Sequence, residues 1–305
     1  MIERGDQIQA AIDALPLGGE IILGEGILWI ESTIRLRSRI TLRGQGRATV
    51  LRAIDGLNAN MIELADKTVD LTVLRDLRVD GNKDGQSSGH GIFLDNDDGH
   101  PHTLTDAHHL LTNVVVHHCK GNGIHITGDA RETMLEQCKV YTCDGCGFYN
   151  YASDMKYVNC IAGGNGTYGL AVEGWNAQLT NCKAFWNGMK GFRVHAQCCL
   201  TNCQSEENYQ AGFEIVLQDN LFVGCVAHNN GRAEARAEGF WVGGDRTQLM
   251  GCYGYDSKDP AWQSYGYVLA DGVTNVRLNG VAYGNNDGAL LDNGAINLTD
   301  ELVSW

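Results

Sequence analysis

The sequence predicts an all-β protein, a single-stranded right-handed parallel β-helix of about 9–11 coils with a helix at its N-terminus. Two observations carry this prediction. The chain repeats a pattern mostly every 21 or 22 residues, and its 305 residues include 39 glycines but only 3 prolines. That composition suits tight turns and long backbone ladders, which proline would interrupt. Since no linker or low-complexity segment divides the chain, we expect one domain over residues 1–305.

The first element is an amphipathic helix within residues 1–16. Ile8, Ile12 and Leu15 recur at helical spacing, which places them on one apolar face. Asp6 precedes them and is a suitable N-cap residue, because its carboxylate can accept a hydrogen bond from a free backbone N–H.

The repeat that follows is clearest around one cysteine position. A glycine and a short apolar strand, such as GFRV at 191–194, come after it, so each repeat holds three short strands and no helix. Stacked copies about 4.8 Å apart put equivalent side chains into columns. We expect one inward column of reduced thiols rather than disulfide bonds. Its members are Cys138, Cys160, Cys182, Cys203, Cys225 and Cys252, with Leu77 and Val114 upstream and Gly280 downstream.

Residues 8–46, IQAAIDALPLGGEIILGEGILWIESTIRLRSRITLRGQG, resemble the opening of pectate-lyase-like β-helix proteins. That superfamily includes polysaccharide lyases, uronate epimerases, glycoside hydrolases and phage tailspikes. The resemblance concerns the fold over essentially the whole chain. It implies that residues 1–16 form an N-terminal capping helix and that substrates lie along one strand face. The arginine-rich signature of calcium-dependent pectate lyases and the Asp-Pro-His motif of alginate epimerases are missing, so no subfamily follows.

In each repeat, a short strand follows the glycine. The outward side chains of this strand are mostly charged or aromatic in the middle coils. Because side chains alternate along a strand, Arg193 in GFRV points outward. We interpret this face as a catalytic groove, with a decorated surface ladder as the alternative. The first outward column is Arg35, Glu63, Phe93, His125, Tyr149, Ala171, Arg193, Glu214, Trp241, Val268 and Leu290. The second is Asp95, Thr127, Tyr151, Glu173, His195 and Val216.

Elimination or C5-epimerisation of a uronic acid requires a group that neutralises its carboxylate, a base and an acid. Arg193 is the candidate for neutralisation, since a guanidinium binds a carboxylate through two hydrogen bonds. His195 or Tyr149 is the candidate base, and Tyr151 or His125 is the candidate acid.

Hydrolysis of a glycosidic bond needs two carboxyl groups instead. Glu173 and Glu214 are the candidates, and their separation of two coils suits an inverting enzyme. Trp241 and Phe93 are candidates for stacking on sugar rings. We expect the small side chain of Ala171 to leave space for a sugar ring beside Arg193.

Residues 95–109, DNDDGHPHTLTDAHH, form a long insertion that we expect beside the groove, near His125. Asp95 is a candidate substrate contact at its start. The carboxylates Asp95, Asp97 and Asp98 and the histidines His100 and His102 of the insertion are candidate ligands for calcium or a transition metal. A solvated loop or lid is the favoured interpretation, and no cofactor is expected to be required.

The formal net charge of −14 argues against nucleic acid as a partner, because phosphates would be repelled. No apolar segment is long enough for a membrane span, and the N-terminus does not fit a signal peptide. We expect a cytoplasmic or phage-associated protein, or a secreted one whose leader was removed. A homo-oligomer is compatible with the sequence, and a trimer is expected if the protein is tailspike-like.

The sequence therefore favours a carbohydrate-active enzyme, a lyase or epimerase of a uronate-containing polysaccharide. A glycoside hydrolase with paired carboxylates is the first alternative. The second is a non-catalytic glycan-binding or tailspike-like module, and the third is chemistry on a small molecule.

Overall fold

The computed structural model describes residues 1–96, 108–232, 237–294 and 296–304. It confirms the predicted fold class: the chain is an all-β parallel solenoid of about 11 turns with one short N-terminal helix. Contacts divide it into two compact units, Met1–Ile161 and Ala162–Trp305.

The first unit opens with a 3-10 turn, Gly5–Gln7, and the helix α1, Ile8–Asp13. Further 3-10 turns lie at Gly46–Ala48 and Lys83–Gly85. Its strands are β1 Gly19–Ile22, β2 Gly26–Ile30, β3 Ile34–Leu36, β4 Ile40–Arg43, β5 Thr49–Ala53, β6 Ile62–Leu64, β7 Val73–Asp80, β8 Ile92–Asn96, β9 Leu110–His117, β10 Ile124–Gly128, β11 Met134–Glu136, β12 Lys139–Tyr141, β13 Phe148–Asn150 and β14 Lys156–Val158. The boundary between the units falls in β15, Ile161–Gly163.

The strands of the second unit are β16 Leu170–Val172, β17 Gln178–Thr180, β18 Lys183–Phe185, β19 Phe192–Val194, β20 Cys199–Thr201, β21 Gln204–Glu206, β22 Phe213–Ile215, β23 Leu221–Val223, β24 Val226–His228, β25 Phe240–Val242, β26 Gln248–Tyr255, β27 Tyr265–Leu269, β28 Thr274–Tyr283, β29 Gly288–Asp292 and β30 Ile296–Ser304. We call the strands after the repeat glycine the groove sheet: β3, β6, β8, β10 and β13 in the first unit, and β16, β19, β22, β25, β27 and β29 in the second. The remaining strands form the back sheet.

The N-terminal helix is shorter than predicted. α1 spans Ile8–Asp13 rather than most of residues 1–16, and its N-cap residue is Gln7 instead of Asp6. Asp6 lies in the preceding 3-10 turn, where its carboxylate pairs with Arg4 and is used for an ion pair instead of a cap. Ile8 and Ile12 are fully buried, as the helical spacing predicts.

Corners of the coils hold residues in the left-handed backbone region. In one coil these are Asn176, Asn181 and Trp186, with φ values of 57°, 54° and 57°. Asparagine tolerates this conformation better than most residues, because its short side chain can bond locally. The need for a left-handed corner explains why Asn159, Asn181 and Asn202 each directly precede an inward segment that begins with cysteine.

The predicted cysteine column is confirmed within each unit. Cys138 and Cys160 in the first unit, and Cys182, Cys203, Cys225 and Cys252 in the second, are buried and form no disulfide bond. Gly280 pairs with Cys252 in the next coil, as the repeat alignment predicts. The thiols also bond to the backbone: Cys203 Sγ donates to the Leu179 carbonyl at 3.6 Å. The column is therefore a packed interior feature rather than a redox site.

Cys203→Ser is expected to lower the free energy of unfolding by about 1–3 kcal/mol, because a more polar group would occupy a buried site shaped for sulfur. Cys199→Ser is the matched control, since Cys199 lies on the same coil but is only half-buried. Urea unfolding of both variants measures the difference. Equal midpoints for the two variants would contradict the importance of the column.

A second interior column consists of asparagines. Asn165, Asn187 and Asn208 each donate from Nδ2 to the Oδ1 of the asparagine in the next coil, at 2.9–3.0 Å, and the ladder ends at Asn230. Asn230 Nδ2 then donates to Gln263 Oε1 at 3.4 Å, and Gln263 Nε2 donates to Asn285 at 2.7 Å. The next coil has no asparagine at this position, and the side-chain amide of Gln263 takes its place between Asn230 and Asn285.

The predicted outward column is wrong at one position. Val268 pairs with Leu291, whereas Leu290 pairs with Tyr267, whose side chain is fully buried. The reason is that Gly288 pairs with Tyr265, one residue earlier than the repeat glycine of other coils. A shift of one residue moves a side chain to the other face of the sheet. Leu290 therefore does not belong to the outward column.

Among the described residues, no helix is long and apolar enough to cross a membrane.

Candidate active site

The groove sheet of the second unit aligns the outward residues that the sequence singles out. Ala171 pairs with Arg193, Arg193 with Glu214, and Glu214 with Trp241, on four successive parallel strands. The alternating residues of these strands face the core: Phe192, Phe213 and Phe240 are fully buried. The apolar interior therefore fixes the direction of the charged side chains.

A continuous chain of ion pairs connects these outward side chains. Arg193 donates from Nε to Glu173 Oε1 at 2.7 Å and from Nη1 to Glu214 Oε2 at 2.5 Å. The other oxygen of Glu173 contacts His195 Nε2, and the other oxygen of Glu214 accepts from Lys190 Nζ. These five side chains thus form one network, and none of them is more than 26% exposed.

The two carboxylates determine the charge of the arginine. Burial lowers the pKa of Arg193, but the neighbouring Glu214 and Glu173 carboxylates outweigh burial and raise the pKa above its ordinary value. The guanidinium is therefore a fixed positive charge. Tyr168 lies against it, with 5.9 Å between the Arg193 Cζ and the centre of the Tyr168 ring.

Lys190 belongs to this network, and Glu238 lies close enough to it for the charges of Lys190 and Glu214 to act on its carboxyl group, but the two outward columns did not include either residue. Both directly precede the repeat glycine, as Tyr168 also does, and this position forms a third outward column beside the first two. Burial raises the pKa of Glu238 above its ordinary value, and Lys190 opposes this shift only in part. Glu238 is thus the carboxyl group in this unit that most favours the protonated form among those with a resolved shift.

Two expectations about sugar contacts have different outcomes. Ala171 is 1% exposed, so it does not provide open space beside Arg193, because its methyl group is covered in the packed structure. Trp241 is partly exposed, and its ring lies next to Gly243. A Cβ atom added to Gly243 would come within 2.4 Å of the ring carbon Cη2 of Trp241. Glycine at position 243 therefore leaves room for the indole ring, and the stacking of Trp241 on a sugar stays a prediction.

In the first unit, the groove sheet carries an aromatic cluster in its later coils, and the predicted outward residues Arg35 and Glu63 form an ion pair at 3.1 Å on β3 and β6. Phe93 and Tyr149 flank His125, with ring centroids at 5.1 and 4.7 Å, and His90 packs against His125 at 4.6 Å. Burial, together with His90, lowers the pKa of His125 to about 4. His125 is therefore neutral near pH 7 and does not provide an imidazolium acid there.

The remaining predicted residues lie at the edge of this cluster. Tyr151 is 60% exposed. Asp95 pairs with Lys67 at 3.4 Å, so its carboxylate already has a cationic partner. Residues 97–107, the inner part of the insertion, lie outside the described residues. The predictions that the insertion overhangs the groove and binds calcium concern these residues, and they stay predictions. At its far end, His109 Nε2 donates a 2.9 Å hydrogen bond to Asn96 Oδ1.

The coils and the groove sheet together define a right-handed β-helix protein with a charged strand face. Residues 60–250 match the family described as right handed beta helix region, and the chain belongs to that family. No curated protein matches the sequence.

Solved structures with the same fold include three proteins of different kinds. The A-module of mannuronan C-5 epimerase AlgE6 from Azotobacter vinelandii is 21% identical, with a TM-score of 0.78 over 98% of this chain and 94% of that module. The enzymatically active domain of tailspike protein 2 from bacteriophage CBA120 is 12% identical, with a TM-score of 0.76 over 93% and 48%. The catalytic domain of a GH87 α-1,3-glucanase is 12% identical, with a TM-score of 0.54 over 97% and 66%. At these identities the likeness shows the fold.

Proposed function

We propose that the protein is a carbohydrate-active enzyme that removes the C5 proton of a uronate residue in a polysaccharide, as a lyase or an epimerase. The observation that carries this proposal is the ion-pair network of the second unit, in which a histidine and two cations meet on one strand face. The fold shared with mannuronan C-5 epimerase modules supports it as an analogy.

His195 is the proposed base. Its Nε2 contacts the Glu173 carboxylate, which only accepts hydrogen bonds, so Nε2 carries the proton. The lone pair of the neutral ring is then on Nδ1, the nitrogen that can remove a proton from the substrate. Glu173 also stabilises the imidazolium that forms, as a carboxylate does for the histidine of a catalytic triad.

Arg193 and Lys190 are proposed to neutralise the uronate carboxylate, because removal of the adjacent proton places further negative charge on that group. The network's two cations balance the carboxylates of Glu173 and Glu214, so the four ionised groups sum to zero. A polyanion is thus not repelled here, although the whole chain has a net charge of −14. Tyr168, against the Arg193 guanidinium, is the proposed proton donor.

Hydrolysis of a glycosidic bond is a second candidate function, favoured by one observation. Burial raises the pKa of Glu238, and the nearby Glu214 carboxylate adds to the shift. A carboxyl group with a raised pKa beside an ion-paired carboxylate is the kind of acid–base pair that hydrolysis requires. In that case the rate falls as the pH rises through the raised pKa of Glu238, because the acid form is lost.

Two variants separate these reactions. If the protein is a lyase or an epimerase, His195→Ala is expected to reduce the rate on a polyuronate by about 10²–10⁴-fold, since the general base is removed. Glu238→Gln is expected to have the larger effect if the protein is a hydrolase. The rates are measured as unsaturated uronate formed, C5 inversion by NMR, and reducing ends released from a panel of acidic and neutral glycans.

His228→Ala is the matched control, because His228 also pairs with a glutamate, Glu206 at 3.1 Å, but on the back sheet of the same unit. Its rates are expected to equal those of the wild type. Equal activity in all three variants would place the reaction elsewhere. A wild-type protein that binds glycans of the panel and turns none over would favour a non-catalytic binding module. Repeating the assay with a chelator tests whether calcium is needed.

A further inference from the structure

A second polar pocket lies in the first unit, on the back sheet. Its volume is about 400 Å³, and its polar lining is Arg47, Arg78, His117, His118, Tyr141 and Thr142. The strands β7, β9 and β12 form its floor, where Asp80 pairs with His117 and His117 with Tyr141 in register. These residues belong to a different sheet from the groove, so the proposed catalytic network does not use them.

The pocket contains the one group of potential metal ligands found among the described residues. Asp80, His117 and His118 offer ligand atoms within 4.8 Å of one another. However, Arg78 Nη2 lies 3.1 Å from His117 Nε2, and a guanidinium only donates, so Nε2 is the accepting nitrogen. The proton of neutral His117 is then on Nδ1, which lies 3.1 Å from His118 Nδ1. A metal at His117 Nδ1 would have to displace this proton while Nε2 keeps its donor.

The pocket has an excess of cations and unsatisfied polar atoms. Arg47 and Arg78 line the pocket, and Arg52 lies on the neighbouring strand β5. Asp80 lies 3.5 Å from Arg52 Nε and accepts a hydrogen bond from the backbone N–H of Asn82. Buried Nε of Arg78 and Oγ1 of Thr142 have no hydrogen-bond partner among the described residues. Buried polar groups are nearly always satisfied in native proteins, so each such atom indicates a missing partner.

We propose that this pocket binds the oxyanion group of a ligand, a carboxylate or a phosphate. Both groups offer the acceptors that Arg78 Nε and the Thr142 hydroxyl lack, and arginine binds their planar or tetrahedral oxygens through paired donors. Arg47 at the exposed rim meets the ligand first, and Arg78 holds it at the floor.

Titration with sodium phosphate and with sodium glucuronate, followed by calorimetry and by the histidine NMR signals, tests the site. At least one of the two anions is expected to bind the wild-type protein. Arg78→Gln and Arg47→Gln are each expected to weaken that binding by at least about 10-fold, because each removes a charged donor. Arg75→Gln is the matched control: Arg75 lies on β7 as well, but it is exposed and pairs with Asp76.

The anion that binds identifies the source, since glucuronate alone indicates a sugar acid and phosphate alone a phosphorylated ligand. Binding of neither anion would overturn the proposal, and so would equal binding by all variants. Zinc chloride that shifts the His117 and His118 signals while both anions leave them unchanged would identify a metal site instead. If Arg78→Gln fails to fold, the Arg47→Gln variant still tests the proposal, because Arg47 is exposed. None of these outcomes depends on the catalytic proposal.

Discussion

Phe213→Ala is expected to lower the free energy of unfolding by about 3–5 kcal/mol, the largest stability effect of a single side chain that we predict. Phe213 stacks between Phe192 and Phe240, with ring centroids at 4.7 and 4.8 Å and nearly parallel planes. Its edge also contacts Phe222 at 5.8 Å. Truncation removes these contacts and leaves a cavity between coils that the backbone ladders keep from closing.

Tyr209→Ala is the matched control, because Tyr209 lies on the same coil and is 41% exposed. It is expected to change stability by about 0.5 kcal/mol or less, as surface substitutions usually do. Urea unfolding monitored by circular dichroism measures both variants. A cost below about 1 kcal/mol for Phe213→Ala would show that the stacked column is not a main source of stability.

Arg193→Ala is expected to reduce turnover by about 10²–10³-fold, because the charge that stabilises the transition state is lost. Arg193→Lys is expected to recover only part of the rate, since an ammonium group cannot hold Glu173 and Glu214 in the same planar arrangement. The alanine variant is also expected to be less stable, because it leaves two neighbouring carboxylates without their shared cation.

Stability and catalysis can be separated by neutralising the network. In the quadruple variant Arg193→Met, Lys190→Met, Glu173→Gln, Glu214→Gln, both cations and both carboxylates of the network are removed together, so stability is expected to recover while turnover stays low. Thermal unfolding and the rate on a polyuronate measure the two effects. Recovery of both would mean that the network supports only the fold.

The fold could be predicted because one geometric rule applies to every coil. Stacking in register turns a repeated position into a column, so the cysteine position alone predicts that Cys203 and Cys225 are interior neighbours in the second unit. The rule fails where the repeat itself changes. Gly288 comes one residue early, so Leu291 takes the outward position that the repeat predicts for Leu290. At the N-terminus, Asp6 forms an ion pair with Arg4 instead of capping the helix.

The candidate site was predicted in part for the same reason. Alternation along the strands identifies Arg193, Glu173 and Glu214 as outward neighbours, and the structure brings them into direct contact. Lys190 and Glu238 precede the glycine and could have been found by reading that position as a third outward column. The raised pKa of Glu238 could not have been predicted from the sequence, because it results from burial in the folded protein.

Proton exchange at C5 tests the central claim most directly. Wild-type protein and His195→Ala are incubated with a polyuronate in heavy water, and the product is examined by NMR. We expect the wild type either to incorporate deuterium at C5 with inversion or to form a 4,5-unsaturated end, and the variant to do neither at a comparable rate. Shortened chains that keep their C5 proton would contradict the account and indicate hydrolysis, and an unchanged polymer would contradict catalysis on polyuronates.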